Sequence, residues 1–227
     1  MKNYWFFDLD GTLADTDRDI RESWKAAIGD LGLAAKDFDE KFVAGPPIDE
    51  MVKTLFPDIY SEELSESIRS GFSRHYDNDG FPNTVEYPGM IEEVRRLKAL
   101  GDTVAIVTNK RHAGAVAMAA HFGWTGIFDG IYAGDMLTTI DPRLAREMCD
   151  RNGLPAPVKL RKPELLAMAM RETGADRANS TMVGDTINDF EAAVKNGIRS
   201  IAVPWGYGKP EELSSATIIA APPFASL

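Results

Sequence analysis

Two aspartates, Asp8 and Asp10, follow an apolar run in the opening stretch "WFFDLDGTLADTD". Burial of an unpaired carboxylate is unfavourable, and two neighbouring carboxylates raise each other's pKa by repulsion. Taken alone, the Asp-Gly pair is equally consistent with an ordinary turn at the end of a strand. If the aspartates are buried, a positively charged group must offset their charge.

Polar residues also follow two later apolar runs. The run "TVAIVTN" ends in Thr108 and Asn109, and "STMVGDT" contains Asp185, with Asp189 one helical turn later. Lys162 stands just before a predicted helix that leads into the second run. Because ligands bind beyond the carboxyl ends of strands in an open parallel sheet, we expect these groups to meet at one edge.

Carboxylates that converge with a single lysine suit a hard cation better than a free anionic substrate. Mg²⁺ prefers oxygen ligands and usually completes its octahedron with water and substrate phosphate. Thr108, Lys162 and backbone N–H groups in the turns after the first two strands would hold the remaining phosphate oxygens. One carboxylate beside the metal could attack phosphorus to form an aspartyl-phosphate. A second, two residues away, could protonate the leaving oxygen and then deprotonate water.

Strand and helix patterns alternate over most of the chain, which indicates an α/β fold with a doubly wound parallel sheet. A typical helix is "PELLAMAMRETG", which begins at Pro163 and ends at Gly174. Apolar runs predict strands at 4–9, 103–109, 130–135, 180–186 and 200–206.

Residues 14–86 interrupt this alternation. They contain helical patterns such as "RDIRESWKAAIGDLG" and "SEELSESIRSGFSRHY" but no convincing central strand. We therefore predict a helical domain over 14–86, inserted into an α/β core domain formed by 1–13 and 87–227.

Four motifs, "DLDGTLADT", "VTNK", "RKPELL" and "GDTINDFEAA", resemble those of the haloacid dehalogenase superfamily. The resemblance covers essentially the whole chain and is strongest to the phosphoglycolate phosphatase-like branch. That branch has an α-helical cap after the first motif, and "FVAGPPIDEMV" and "PWGYGKPEEL" are also similar to it. The resemblance implies a Rossmann-like core with the inserted helical domain as its cap.

The resemblance also implies roles for individual residues. Asp8 would be the nucleophile and Asp10 the general acid/base. Mg²⁺ would lie on Asp8, the backbone carbonyl of Asp10 and Asp185, with Asp189 supporting the metal. Thr108 and Lys162 would bind phosphate and assist catalysis. The rest of the predicted substrate- and phosphate-binding set is Gly11, Thr12 and Asn109.

One departure from the family pattern concerns residues 136–160, which are longer than the usual connection to the lysine motif. Lys159 therefore competes with Lys162 for the phosphate-binding role. Lys162 is favoured because Pro163 follows it and a helix begins there. The extra segment is expected to be an added helix or a dimer contact.

The pattern as a whole predicts a Mg²⁺-dependent phosphoric monoester hydrolase that acts on a small phosphorylated metabolite. Phosphoglycolate, a sugar phosphate and a nucleoside monophosphate are all candidate substrates. The alternatives are a phosphomutase of the same branch, a nucleotidase or a phosphonate hydrolase. A catalytically silent binding module would lack a motif aspartate, and none is missing. The presence of Asp10 disfavours dehalogenation, which needs no proton donor at that position.

Composition and net charge limit the binding partners and the cellular compartment that we expect for this protein. The 227 residues carry a formal net charge of −10, which argues against general binding to nucleic acid or an anionic membrane. The lone Cys149 cannot form an internal disulfide, which fits a reducing compartment. No secretory signal and no apolar stretch of membrane-spanning length are evident. We expect a cytoplasmic monomer or homodimer.

Overall fold

The computed structural model describes residues 2–78 and 80–224, which form two compact units. The first, here called the α/β unit, contains the residues up to Asp15 and those from Glu86 onward. The second, the helical unit, is Thr16–Val85. The chain therefore leaves the α/β unit after its first strand and turn, and it returns once.

The α/β unit is built on a six-stranded parallel sheet with the order β5-β4-β1-β6-β7-β8, which confirms the predicted fold class. Two short strands, β2 and β3, lie outside this sheet. The strands are β1 Tyr4–Phe7, β2 Ala14–Asp15, β3 Val85–Glu86, β4 Thr103–Thr108, β5 Gly130–Ala133, β6 Ser180–Gly184, β7 Arg199–Ala202 and β8 Ile218–Ile219.

The strands are shorter than their apolar runs predict, and the sheet gains β8, which the sequence patterns missed. Strand β1 ends at Phe7 rather than at residue 9, so both motif aspartates lie beyond it. Two residues are too few to give β8 a recognisable alternation, and Ile219 is exposed.

Parallel register aligns the carboxyl ends of the central strands. Phe7 is paired with Ile106 of β4 on one side and with Val183 of β6 on the other. Strands β1, β4 and β6 are buried almost throughout, as expected for central parallel strands. The residues that follow β1 and β6 must therefore emerge side by side.

Three helices of the α/β unit end at a glycine, as their sequences favour. In the α/β unit, Gly153, Gly174 and Gly197 end helices in the left-handed conformation. The helices are α1 Asp17–Asp30, α2 Phe38–Lys41, α3 Ile48–Leu55, α4 Glu62–Asn78, α5 Met90–Ala99, α6 His112–His121, α7 Met136–Thr139, α8 Pro142–Asn152, α9 Lys162–Thr173, α10 Ile187–Asn196 and α11 Pro210–Leu213.

The long segment 136–160 contains two of these helices, α7 and α8. Asp141 caps α8 by accepting hydrogen bonds from the backbone N–H groups of Arg143 and Leu144. The inner face of α8 buries Met148 and Cys149 in the core of the α/β unit. The segment is therefore an integral part of that core.

The helical unit has its own aromatic core and its own set of hydrogen bonds to a buried carboxylate. The rings of Phe42 and Phe72 pack around Trp24 of α1. The buried Asp19 carboxylate accepts hydrogen bonds from the Asn83 backbone and from the Thr84 hydroxyl, which fixes the end of the unit against α1. Within 2–78 and 80–224, no helix is both long and apolar enough to cross a membrane.

Candidate active site

Asp8 continues the ladder of β1 into the site. Its backbone N–H donates to the carbonyl of Val183, 2.9 Å away, and its side chain is buried. The chain then turns tightly, because the carbonyl of Leu9 accepts hydrogen bonds from the N–H groups of Leu13 and Ala14. Asp8 thus lies at the carboxyl end of the central strand, as the sequence predicts.

Gly11 allows this turn to approach the neighbouring strand end. Its φ of +82° lies in the left-handed region, and a Cβ at this position would overlap the carboxylate of Asp185. Its N–H donates to the carbonyl of Ala14, and the N–H of Thr12 donates to that of Leu9. Both backbone groups of this predicted phosphate-binding pair are therefore used within the turn.

Asp189 is held by the start of α10. One carboxylate oxygen, Oδ2, accepts hydrogen bonds from the backbone N–H and the hydroxyl of Thr186, at 3.1 and 3.0 Å, which completes a capping box. The other oxygen, Oδ1, lies 2.6 Å from the ammonium of Lys162. The helix cap that orients Asp189 therefore also brings its second oxygen to the site.

Lys162 begins α9 and is buried, with its ammonium 2.9 Å from Oδ1 of Asp8. Burial alone would lower its pKa, but the carboxylates of Asp189 and Asp8 outweigh that effect and raise it. Lys159 is exposed. Of the two lysines that the sequence leaves in competition, the structure brings Lys162 to the carboxylates.

Asp8, Asp185 and Asp189, here called the acidic triad, have carboxylate oxygens within 4.8 Å of one another. Burial raises the pKa of Asp8 to about 8; Lys162 opposes this, and Asp189 and Asp185 add to it. Burial also raises the pKa of Asp185 to about 7, again with a contribution from Asp189. The Lys162 ammonium pairs with two of these three buried carboxylates, so the cluster has an excess of negative charge when all are ionised.

Two oxygen atoms of the triad could act as ligands to a cation. Within the described ranges, Oδ1 of Asp8 and Oδ1 of Asp189 receive no hydrogen bond of acceptable geometry, although both lie within ion-pair distance of Lys162. Buried polar atoms are rarely left without such a partner. An all-oxygen donor set with excess negative charge suits a hard divalent cation such as Mg²⁺.

Asp185 is held by hydrogen bonds to both of its carboxylate oxygens. The Thr12 hydroxyl donates to its Oδ1 at 3.1 Å, and the Tyr207 backbone N–H donates to its Oδ2 at 2.7 Å. These bonds favour the charged form and partly oppose the effect of burial on the Asp185 pKa. Sequence reasoning placed Thr12 among the phosphate ligands and did not anticipate this contact with Asp185.

A further ion pair joins Asp10 to Lys110, whose ammonium is 2.9 Å from Oδ1 of Asp10. The Lys110 backbone N–H donates to the hydroxyl of Thr108, which is buried at the end of β4, whereas Asn109 is exposed. Lys110 is the last residue of the "VTNK" motif, and the sequence analysis assigned it no role. The adjacency of the first two predicted strands was the signal that could have found this pair.

Comparison with known proteins supplies the family. The model of the haloacid dehalogenase-like hydrolases matches residues 5–197, which include every residue of the acidic triad and Lys162. This chain belongs to the haloacid dehalogenase-like hydrolase family. The predicted superfamily is thereby confirmed.

Relatives of this haloacid dehalogenase-like hydrolase are phosphatases by name. The probable phosphatase IndB of Dickeya dadantii is 29% identical over 220 residues, covering 95% of this chain and 87% of IndB. Phosphoglycolate phosphatases of Agrobacterium fabrum and Neisseria meningitidis are each 32% identical, over 208 and 215 residues. The matches cover 88% and 92% of this chain and 80% and 83% of those proteins. The predicted phosphoglycolate phosphatase-like branch and the predicted class, a phosphoric monoester hydrolase, are confirmed.

Solved structures share the fold of this haloacid dehalogenase-like hydrolase. A predicted phosphatase from Clostridium acetobutylicum superposes with a TM-score of 0.77 at 24% identity, covering 97% of this chain and 94% of that one. A predicted phosphoglycolate phosphatase from Haemophilus somnus gives 0.75 at 21% identity, with 96% and 93% covered. At these sequence identities, the similarity shows a shared fold and does not show a shared function.

Stabilisation by Mg²⁺ should increase with pH. Because the pKa values of Asp8 and Asp185 are raised to about 8 and 7, the stability of the cation-free fold falls as pH rises through those values. A bound cation needs ionised carboxylates, so its competition with protons eases over the same window. The rise in melting temperature caused by excess MgCl₂ should grow between about pH 6 and about pH 9.

Scanning fluorimetry of the wild type and two variants would measure this effect. Asp8→Asn should reduce the pH dependence of the Mg²⁺ effect, because one of the competing carboxyls is gone. Asp141→Asn, which preserves a good helix cap far from the triad in sequence, should leave it unchanged. An equal Mg²⁺ effect at every pH would contradict the assignment of a cation to the acidic triad.

Proposed function

We propose that this haloacid dehalogenase-like hydrolase is a Mg²⁺-dependent phosphatase that hydrolyses a small phosphomonoester through an aspartyl-phosphate on Asp8. The observation that carries the proposal is the buried acidic triad, in which Asp8 lies 2.9 Å from the Lys162 ammonium and two residues before Asp10. Phosphatases among its relatives support the same class of reaction.

The cation would be held by Asp8 and Asp185, with the backbone carbonyl of Asp10 as a further ligand and Asp189 in support. When bound, Mg²⁺ would neutralise these carboxylates and polarise a phosphoryl oxygen of the substrate. Lys162 would bind a second phosphoryl oxygen, because its ammonium is buried and already faces Asp8.

Asp8 and Asp10 then divide the chemistry. A carboxylate oxygen of Asp8 attacks phosphorus as the bond from phosphorus to the leaving oxygen breaks, and Asp10 gives that oxygen its proton. In the second half, Asp10 takes a proton from water, which attacks the same phosphorus atom. The bond between phosphorus and Asp8 breaks, phosphate departs and the Asp8 carboxylate is regenerated. Lys110 is close enough to orient the Asp10 carboxylate.

Phosphoglycolate is the substrate that we favour, because two relatives at 32% identity bear that activity in their names. Sugar phosphates and nucleoside monophosphates are the other candidates, and phosphonate hydrolysis is a further alternative. We propose that the helical unit is the cap domain and contributes to substrate choice. We also propose that the protein acts in the cytoplasm.

Substitution of the two motif aspartates should separate nucleophile from acid/base. Asp8→Asn should reduce phosphate release to near background, because an amide is a poor nucleophile. Asp10→Asn should reduce the rate about 10²- to 10⁴-fold on alkyl phosphates, whose leaving oxygen needs a proton. The loss of aspartyl-phosphate formation should be smaller on p-nitrophenyl phosphate, because nitrophenolate leaves without that proton.

Acid-quenched protein from ³²P-labelled substrate provides the direct readout. Label should appear on the wild type or on the Asp10→Asn protein and never on the Asp8→Asn protein. Circular dichroism verifies that each variant is folded. Substantial turnover by Asp8→Asn, or identical losses for both variants on every leaving group, would refute the proposed roles.

A panel of phosphate esters should show preferred release of phosphate from phosphoglycolate over sugar phosphates and nucleoside monophosphates. Phosphate release is measured together with product analysis, because a phosphomutase would return an isomeric sugar phosphate instead. Faster conversion of a sugar phosphate to its isomer than to free phosphate would contradict the hydrolase assignment. A preference for another ester would change the substrate while leaving the mechanism intact.

A further inference from the structure

The loop after β7 makes contacts that the proposed reaction does not use. It has the sequence "WGYG" and spans residues 205–208, here called the aromatic loop. The Trp205 indole N–H donates to the carbonyl of Thr12 at 3.4 Å, and the Tyr207 hydroxyl donates to Oδ1 of Asp15 at 2.9 Å. The aromatic loop is therefore tied twice to the segment that follows Asp8 and Asp10.

The aromatic loop also holds the side chain of Asp185 by a hydrogen bond. The Tyr207 N–H donates to one oxygen of the Asp185 carboxylate, while Thr12 donates to the other. Two donors from separate segments therefore fix the plane of a fully buried carboxylate. Partners of this kind orient metal ligands in proteins and strengthen metal binding.

Both glycines of the aromatic loop are needed for this close approach. A Cβ at Gly206 would overlap the Cβ and carboxylate of Asp185, and a Cβ at Gly208 would overlap the main-chain carbonyl of Asp185. Neither glycine has a positive φ, so proximity to Asp185 rather than backbone conformation requires glycine here. The ring of Tyr207 also lies against Gly11. The loop thus lies close to both the main chain and the carboxylate of Asp185.

We infer that Tyr207 is a positioning residue for cation binding, which acts by holding Asp185 through the aromatic loop. A hydrogen bond from the Tyr207 hydroxyl holds the aromatic loop next to Asp15, and a hydrogen bond from the Tyr207 N–H orients the Asp185 carboxylate. Asp15 is the last residue of the α/β unit before the chain enters the helical unit. Tyr207 therefore fixes Asp185, which directly follows β6, relative to the segment that follows Asp8. This inference rests on the cation site of the proposed function.

Titration with Mn²⁺, followed by electron paramagnetic resonance of the free ion, tests this role directly. Tyr207→Phe removes the hydroxyl bond to Asp15 and retains the ring and the N–H. It should weaken Mn²⁺ binding about 3- to 10-fold, the range expected when one hydrogen bond is lost. Tyr4→Phe is the matched control, because Tyr4 is a half-buried tyrosine of the same unit outside the loop. It should bind Mn²⁺ like the wild type.

Steady-state kinetics gives a second readout. The Mg²⁺ concentration for half-maximal rate should rise in Tyr207→Phe by a similar factor. At saturating Mg²⁺, kcat should stay within about 2-fold of the wild type, because the hydroxyl donates to Asp15, which has no part in the proposed reaction.

Gly206→Ala adds a stronger perturbation, because the new methyl group must displace Asp185. Mn²⁺ binding should weaken about 10- to 100-fold, as is typical when a partner that orients a ligand is disturbed. Gly29→Ala in α1, where a Cβ meets only open space, should bind normally. If circular dichroism shows Gly206→Ala to be unfolded, the comparison of Tyr207→Phe with Tyr4→Phe decides alone.

The outcomes separate this inference from the proposed function. A wild type that binds no Mn²⁺ would refute the cation site itself. A wild type that binds Mn²⁺, with Tyr207→Phe indistinguishable from Tyr4→Phe, would overturn the positioning role and leave the proposed function standing. Lower thermal stability of Tyr207→Phe without a change in Mn²⁺ affinity would overturn it too, because it would reveal a purely structural contact. Normal Mn²⁺ binding by folded Gly206→Ala would do the same.

Discussion

The arrangement of the α/β unit depends on one electrostatic constraint, the burial of the acidic triad beside Lys162, whose ammonium pairs with Asp8 and Asp189. Such a cluster is unfavourable unless each charge has a partner. The order of the sheet places β1 beside β6, which brings Asp8 to Asp185 and Asp189. Helix α9 begins at Lys162, so its side chain enters the cluster from the first turn.

Each carboxylate of the acidic triad is restrained by a different device. Asp8 follows the end of a buried strand, Asp189 belongs to the capping box of α10, and Asp185 is gripped by Thr12 and Tyr207. These restraints keep like charges close together before any ligand arrives. In the proposed reaction, such a preorganised site would need little rearrangement to bind the cation and the substrate phosphate, which is a source of electrostatic catalysis.

Local sequence patterns predicted much of the fold and the residues at the centre of the site. Pro163 and Gly174 predicted the limits of α9, and that helix start favoured Lys162 over Lys159. The two motif aspartates stand at the end of β1, as their position after an apolar run indicated. These features could be predicted because each depends on residues close together in the chain.

The features that escaped prediction depend on contacts between distant residues. Thr12 and Asp185 are 173 positions apart, and Asp10 and Lys110 are 100 apart. One local feature also escaped prediction: the backbone N–H of Gly11 donates to the carbonyl of Ala14 within the turn after β1, and residue type alone does not reveal this bond.

The central claim, that a divalent cation balances the acidic triad, is tested most directly by crystals grown with MnCl₂ and measured at the manganese absorption edge. The account predicts one strong anomalous peak at coordination distance, about 2.0–2.3 Å, from carboxylate oxygens of Asp8 and Asp185. No peak at the triad under conditions that saturate Mn²⁺-dependent activity, or a peak only elsewhere on the molecule, would contradict it.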